Sequence, residues 1–114
     1  MAIKSEEKLS SRQCVPCTGG TPPLEGRMLD DLMTQVQGWV LVEGKKIVKS
    51  FKFKDFAEAL TFVNRVGELA EQQGHHPEIY LTWGKVEVEL STHKIKGLSD
   101  NDFILAAKID DLMP

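Results

Sequence analysis

Hydrophobic residues recur at two different spacings along the chain, and these spacings predict the order of helices and strands. Residues 1 to 25 show no regular spacing, and their glycines and prolines interrupt periodic structure. The helical spacing of three and four positions comes next, in Leu29, Leu32, Met33 and Val36. Gly38 is predicted to end this first helix. Trp39 to Val42 and Ile47 to Phe53 then have strand character, with Glu43-Gly44 as the turn between them.

The longest helical pattern begins after Asp55. Asp55 and Glu58 have the spacing of a capping box, in which Asp takes the place of Ser or Thr. The apolar positions that follow are predicted to form one face, comprising Phe56, Ala59, Leu60, Val63, Val66 and Ala70. Gly74 suits the end of a helix, and Pro77 prevents easy continuation. A helix that runs to about Gln73 is therefore predicted.

A second hairpin and a third helix complete the pattern. Ile79 to Trp83 and Lys85 to Leu90 are predicted strands around Gly84, and Ser99 is predicted to cap the last helix with Asp102 at its third position. The order helix, two strands, helix, two strands, helix predicts an α+β two-layer fold. We expect a four-stranded antiparallel sheet with three helices covering one face. Residues 1–25 are interpreted as an irregular N-terminal segment and residues 26–114 as the domain.

Charge and composition narrow the range of partners. With 41% hydrophobic and 27% charged residues, the chain has the ordinary make-up of a soluble domain. The net charge of −3 argues against nucleic-acid partners and anionic membranes, because both need a basic surface. The sequence has no apolar run of the kind found in signal peptides or membrane spans, so we expect a cytoplasmic protein. Lysines gather around the second strand, where they are interpreted as a solvated face, at positions Lys45, Lys46, Lys49, Lys52 and Lys54.

The two cysteines of the chain, Cys14 and Cys17, form a single Cys-x2-Cys pair. Such a pair is compatible with half a zinc site, a redox pair or two reduced thiols. A zinc site would need two further ligands, and the sequence has no second cysteine pair. We interpret this segment as non-catalytic.

All the histidines of the chain, His75, His76 and His93, fall between Glu71 and Asp102. Histidine is the side chain whose ordinary pKa lies near neutral pH, so this concentration indicates acid–base chemistry. Each residue also has a plain structural interpretation when it is taken alone. Glu71 and His75 have the spacing of a pair on one helix face, and a carboxylate at the position of Asp102 commonly caps a helix.

Taken together, the spacing of these residues resembles the signature of the pterin-4a-carbinolamine dehydratases. The motif Glu-x3-His-His-Pro is followed by five residues to an aromatic, nine more to a histidine and eight more to an aspartate. The matching residues are Glu71, His75, His76, Pro77, Trp83, His93 and Asp102. The resemblance covers roughly residues 26 to 112, and it implies the fold of that family.

The resemblance implies a hydro-lyase that dehydrates a 4a-hydroxytetrahydropterin without a metal or other cofactor. It implies that His75 and His93 share the acid and base duties and that His76 holds the substrate. Glu71 and Asp102 would set the orientation and charge of the histidines. Further residues that the resemblance places around the substrate are Pro77, Thr92, Lys94, Ile95 and Trp83, the last of which fits a core role equally well. The implied partners are an aromatic amino-acid hydroxylase, which produces the substrate, and further copies of the chain in a homodimer or homotetramer.

The residues also leave other functions open. Three histidines and two carboxylates could ligate zinc or iron, although the adjacent His75 and His76 do not readily converge on one ion. Animal members of the resembled family also act as dimerisation partners of a homeodomain transcription factor, so a protein-interaction module is a second alternative. A role in molybdopterin metabolism is a third. For assembly, we expect the hairpin Ile79 to Leu90 to offer an open edge, and the lysine-bearing strand to be a poorer one.

Overall fold

The computed structural model describes residues 8–16 and 19–113 of the chain. Its helices are α1 (Gly26–Met33), α2 (Phe56–Gln73) and α3 (Asp100–Asp110). Its strands are β1 (Val40–Val42), β2 (Lys46–Lys52), β3 (Glu78–Thr82) and β4 (Lys85–Leu90), and short 3₁₀ turns occur at Leu9–Ser11 and His93–Ile95. The predicted α+β class and the predicted order of helices and strands are confirmed.

The four strands form one antiparallel sheet in the order β1-β2-β4-β3. The lysine-bearing strand β2 is therefore internal, and the edges are β1 and β3. Within β2 the side chains alternate between the two faces, so Lys46 and Lys52 lie on the open face while Lys49 points to the helix side. Lys49 Nζ contacts Asp110 Oδ1 of α3 at 2.8 Å. The prediction of a wholly solvated lysine face is wrong for this residue.

The core lies on one side of the sheet, where all three helices contribute buried side chains. The strands supply Ile47, Phe51, Val86, Val88 and Leu90, each at most 4% exposed. α3 is buried along most of its length, whereas α1 adds Leu29 and α2 adds one face. This packing fixes the positions of the last turn of α2 and the first turn of α3, which carry the candidate residues.

Two details of the helices differ from the sequence predictions. The first helix ends at Met33 rather than near Gly38, and the hydroxyl of Thr34 donates to the Asp31 carbonyl at 2.6 Å, a contact that competes with helix propagation. On α2 the buried face contains Phe62, whereas the predicted face residues Phe56 and Leu60 are 44% and 41% exposed. The reason is aromatic packing, because the Phe62 ring lies 4.7 Å from Phe51 and 5.1 Å from Phe53 between ring centroids.

Both ends of α2 are defined by the residues that the sequence indicated. The Asp55 carboxylate accepts a hydrogen bond from the Glu58 backbone N–H at 2.9 Å. Gly74 adopts the left-handed conformation with φ of +65°, and its N–H donates to the Ala70 carbonyl. Glycine is favoured here because a side chain at this φ would be strained. The chain consequently leaves the helix axis before His75.

The segment before α1 packs on α3. Leu9 is 5% exposed and belongs to the hydrophobic core. Lys108 Nζ donates to the Ser10 carbonyl at 2.8 Å, and Arg12 pairs with Asp100 at 3.3 Å. These contacts bring residues 13–16 to the end of the sheet where the histidines lie.

Candidate functional site

One open cavity of about 360 Å³ brings together four parts of the chain. The end of α2 and the loop after it contribute Gln73, Gly74, His75 and His76. The segment after β4 contributes Ser91, Thr92, His93 and Lys94. Asn101 of α3 and the N-terminal residues Val15 and Pro16 complete the lining. All three histidines of the chain therefore line one cavity, as the acid–base interpretation requires.

His75 is held by a fully buried carboxylate. Its Nε2 lies 2.6 Å from Asp102 Oδ1, and the imidazole is only 12% exposed. The other carboxylate oxygen, Oδ2, accepts from the Ser99 backbone N–H at 3.0 Å and from the Thr92 hydroxyl at 2.8 Å. An ionised carboxylate only accepts hydrogen bonds, so with Asp102 ionised the contact assigns the ring proton to Nε2. Neutral His75 then has Nδ1 as the ring nitrogen that can accept a proton.

The structure corrects the expected partner of Glu71. Glu71 Oε2 lies 2.6 Å from Nε2 of His76, not of His75. The physical reason is the left-handed turn at Gly74, which ends the helix and removes the shared face that a four-residue spacing requires. The side chains of His76 and Glu71 are 59% and 78% exposed, so this pair is solvated, and of the two residues His76 lines the cavity.

His93 is the most exposed of the three imidazoles. It lies in the 3₁₀ turn that follows β4, and its side chain is 75% exposed. Its nearest acidic partner is Glu78, whose Oε2 lies 3.8 Å from Nε2, too far for a hydrogen bond. The Asp102 carboxylate contacts His75 and not His93, so of these two histidines it can orient His75. The cavity thus has one fixed histidine and one with few constraints.

Thr92 lines the cavity and also supports the residues behind it. The residue is 6% exposed, and its hydroxyl contacts both Ser99 Oγ at 2.7 Å and Asp102 Oδ2 at 2.8 Å. The predicted capping box of Ser99 and Asp102 is present as well. Asp102 therefore caps α3 with one oxygen and holds His75 with the other.

Three of the predicted substrate-binding residues do not line this cavity. Trp83 lies in the turn between β3 and β4 and is 68% exposed, so it neither packs in the core nor reaches the histidines. Ile95 is 8% exposed and faces the protein interior. Pro77 follows His76 but is also absent from the lining. His75, His76, Thr92, His93 and Lys94 are the predicted residues that the structure brings together.

The sequence interpretation missed several lining residues. Val15 and Pro16 lie beside the Cys-x2-Cys pair, in a segment that was interpreted as irregular and non-catalytic. Asn101 and Gln73 also line the cavity. Their closeness in sequence to Asp102 and His75 was the only feature of the sequence that could have indicated this. Cys17, the second residue of the predicted cysteine pair, lies outside the described residues.

Within residues 8–16 and 19–113, no three His, Cys, Asp or Glu side chains form a group that could hold a metal ion. The two imidazoles at the end of α2 face different carboxylates, His75 toward Asp102 and His76 toward Glu71. The same residues contain no helix that is long and apolar enough to cross a membrane.

Comparison with known proteins relates this chain to one protein family. The family model for pterin 4 alpha carbinolamine dehydratase matches residues 22–112. A relative from Rubrobacter xylanophilus, named for pterin-4-alpha-carbinolamine dehydratase, is 52% identical over 105 residues, which cover 92% of this chain and 98% of the relative. A relative of the same name from Rickettsia bellii is 48% identical over 103 residues, with 90% and 91% coverage.

A solved structure also matches. The crystal structure of a transcriptional coactivator/pterin dehydratase from Brucella melitensis superposes with a TM-score of 0.76 at 32% identity. The match covers 81% of this chain and 99% of the Brucella chain. The fold and the sequence motif therefore point to the same family.

Proposed function

This chain belongs to the pterin-4a-carbinolamine dehydratase family, and we propose that it converts a 4a-hydroxytetrahydropterin to the quinonoid dihydropterin and water. One observation carries the proposal. His75, His76 and His93 line a single cavity, and His75 is fixed at 2.6 Å by the buried carboxylate of Asp102. A dehydration in which one group protonates the departing oxygen and another takes a proton from nitrogen needs this kind of site.

The chemistry sets the requirements. The substrate carries a hydroxyl on its 4a carbon beside a ring N–H. Dehydration breaks the C–O bond, and hydroxide is a poor leaving group, so an acid must protonate the oxygen as it departs as water. A base must take the proton of the ring nitrogen, whose electrons form the new C=N bond. Each positioned acid or base contributes about 10²–10⁴-fold to the rate.

We assign these two roles to His75 and His93. The contact with Asp102 fixes the orientation of the His75 ring and leaves Nδ1 as its proton acceptor. Nδ1 of His75 is therefore held at one position, from which it can exchange a proton with the substrate. The side chain of His93 is 75% exposed and has no short hydrogen bond to any residue that the structure describes, so it can adjust to the substrate. His76, paired with Glu71, holds the substrate. No step in this scheme requires a metal or a redox group.

The substrate class gives the position of the reaction in metabolism. A 4a-hydroxytetrahydropterin forms when an aromatic amino-acid hydroxylase uses tetrahydropterin as its reductant. We propose that this chain acts after such a hydroxylase and starts the recycling of the pterin. The functional partner is then the hydroxylase, linked through the shared small molecule rather than through a binding surface.

A protein-binding role is the second candidate, and one finding favours it. The Brucella melitensis structure is named for a transcriptional coactivator as well as for a pterin dehydratase. A scaffold of this kind would not depend on imidazoles inside a cavity. Activity measurements on histidine variants therefore separate the two candidates.

The deciding experiment is a dehydratase assay with synthetic 4a-hydroxytetrahydropterin. We expect the purified protein to accelerate loss of the carbinolamine absorbance, and His75→Ala with His93→Ala to abolish the acceleration. Tyr80→Phe is a matched preparation control, because Tyr80 is exposed on the open face of the sheet. A wild-type rate equal to the spontaneous rate would refute the proposal.

A further inference from the structure

The N-terminal segment forms part of the cavity, although it lies outside the histidine motif. We propose that Val15 and Pro16 are substrate-binding residues that form an apolar wall for the flat pterin ring, and that Asn101 and Gln73 hold this wall in place. The inference rests on the proposed function, since it names a binding surface for the same substrate. It assigns a role to a segment that the sequence interpretation regarded as non-catalytic.

Asn101 holds the backbone of Val15 by a two-sided contact. Its Oδ1 accepts from the Val15 N–H at 2.9 Å, and its Nδ2 donates to the Val15 carbonyl at 2.5 Å. The amide thereby pairs with both backbone groups of one residue, as a neighbouring strand would. Asn101 is only 5% exposed and its two hydrogen bonds to Val15 are partly buried, which strengthens them and holds the segment in place.

Gln73 anchors the residues just before the wall. Its Oε1 accepts from the Cys14 backbone N–H at 2.9 Å, and its Nε2 donates to the Gln13 side chain at 3.0 Å. Gln73 is the last residue of α2, two positions before His75, and Asn101 directly precedes Asp102. The wall is therefore tied to the same two helix ends that carry the paired imidazole and carboxylate.

The exposure of Val15 supports a role in contacting the substrate. Val15 lines the cavity and is 63% exposed as a residue, while its backbone is held by a buried amide. When an apolar side chain that is exposed to water contacts an apolar or aromatic surface, the free energy falls because apolar surface is removed from water. A pterin is flat, and the cavity already places proton-transfer groups beside this residue. A bound ring would cover Val15 and lie next to the histidines.

The test separates substrate contact from simple structural support. Val15→Ser removes most of the apolar contact and keeps the backbone groups that Asn101 binds, whereas Val15→Ile is the matched control that keeps the contact. The probe is the 7,8-dihydro isomer of dihydrobiopterin, a stable pterin that lacks the 4a hydroxyl and differs from the quinonoid product. We expect Val15→Ser to weaken dihydrobiopterin binding by roughly threefold to tenfold, in line with the loss of one or two buried methyl groups. Val15→Ile should bind within about twofold of the wild type.

Kinetics and hydrogen exchange complete the test. Val15→Ser should raise KM by the same factor with kcat and Tm unchanged, because the wall binds the ring without transferring protons. Asn101→Leu should remove the hydrogen-exchange protection of the Val15 amide and weaken dihydrobiopterin binding together. If Asn101→Leu does not fold, Gln73→Ala takes its place, with the Cys14 amide as the exchange probe.

The outcomes also distinguish this inference from the proposed function. If wild type and Val15→Ser bound dihydrobiopterin with equal affinity, the proposal that Val15 contacts the pterin would be wrong, even with dehydratase turnover intact. A wild type that binds dihydrobiopterin without turnover would contradict the proposed function, while a Val15→Ser defect in binding would still support the wall. Absence of dihydrobiopterin binding to the wild type would overturn the wall as well.

Discussion

His75 and Asp102 are joined by a 2.6 Å contact between Nε2 and Oδ1, and the same carboxylate caps the helix α3 through Oδ2. The carboxylate is fully buried and has three partners within hydrogen-bond distance, counting His75, Ser99 and Thr92. One residue therefore couples the fold of the last helix to the orientation of the candidate acid–base group. Structural and catalytic contributions of Asp102 must be separated by experiment.

The first prediction concerns Asp102→Asn. An amide can replace part of the capping function but cannot offer two acceptor oxygens, so the fixed orientation of His75 should be lost. We expect turnover to fall by about a hundredfold or more, while the free energy of unfolding falls by roughly 1–2 kcal/mol. A melting curve measured beside the rate decides the point.

The control for this prediction is Asp55→Ala, which removes the N-cap of α2 far along the chain from the histidines. It should lower the free energy of unfolding by about 1 kcal/mol and leave turnover unchanged. If Asp102→Asn lost activity only in proportion to its stability, as a pure cap would, the positioning role of Asp102 would be wrong.

The second prediction concerns the two proton-transfer groups. If His75 and His93 act on different sides of the ring, each should serve one face of the 4a carbon. His75→Ala and His93→Ala should then impair the two 4a stereoisomers unequally, each by about 10²–10⁴-fold for its preferred isomer. His76→Ala should raise KM for both isomers. Small, equal effects of all three substitutions in a stereoisomer-resolved assay would defeat the assignment.

The third prediction is that turnover does not depend on a metal ion. The imidazoles of His75 and His76 face separate carboxylates, which is a poor arrangement for a shared ion. We expect dialysis against a strong chelator to leave the rate of carbinolamine dehydration unchanged. Metal content of the active protein should be far below one ion per chain. Activity that is lost on chelation and restored by zinc would establish a metal centre instead.

The order of helices and strands could be predicted from the sequence, because it follows from the local spacing of apolar residues. The three histidines of the site could also be predicted, because they match a sequence motif. The capping residues Asp55 and Ser99 and the terminating Gly74 act within one helical turn, and all three lie where they were expected. The partners within the site were not predictable. The backbone turn at Gly74 redirects His75, so a spacing rule for continuous helices gave the wrong carboxylate.

Long-range contacts account for the other differences. Val15 meets Asn101 across 86 residues of sequence, and no periodic pattern encodes a contact between an irregular segment and a helix start. The buried face of α2 also depends on tertiary packing. Phe62 is buried because its ring packs against Phe51 in β2 and Phe53 just after β2. Trp83 fits the family spacing and yet lies exposed in a turn.

The fourth prediction uses Tyr80, the one tyrosine of the chain. Its hydroxyl donates to Glu78 Oε1 at 3.1 Å, and this hydrogen bond, with the nearby charge of Glu89, raises the pKa of Tyr80. The contact between Lys46 and Glu89 at 3.0 Å likewise raises the pKa of Lys46. Both groups hold their protons more tightly in the folded protein. Their stabilising contribution is complete below the unfolded pKa values and is lost as pH rises through the folded ones, above about pH 10.

The absorbance of ionised tyrosine during an alkaline titration measures the pKa of Tyr80 directly, because the chain has no other tyrosine. The midpoint should lie higher in the native protein than in the urea-unfolded chain, and Glu78→Gln should lower the native midpoint. Glu68→Gln, on the exposed side of α2, is the matched control and should leave it unchanged. A native midpoint at or below that of the unfolded chain would contradict the pairing.

The last prediction is assembly through the edge strand β3. The sheet has two edges, and β3 is the longer, with five residues against three in β1. Unpaired backbone groups on an edge strand favour pairing with a second copy, and two-fold dimers are the commonest closed arrangement. We expect light scattering at micromolar concentration to give a mass of at least twice the 12.8 kDa of one chain.

A matched pair of edge substitutions locates the interface. Tyr80 on β3 and Val40 on β1 are 49% and 62% exposed, so a lysine is tolerated at either position while it discourages strand pairing. Tyr80→Lys should weaken self-association by about tenfold or more, and Val40→Lys should leave it unchanged. The reverse pattern would move the interface to β1. A wild-type mass near 12.8 kDa would show that the edges stay unpaired and that the assembly prediction is wrong.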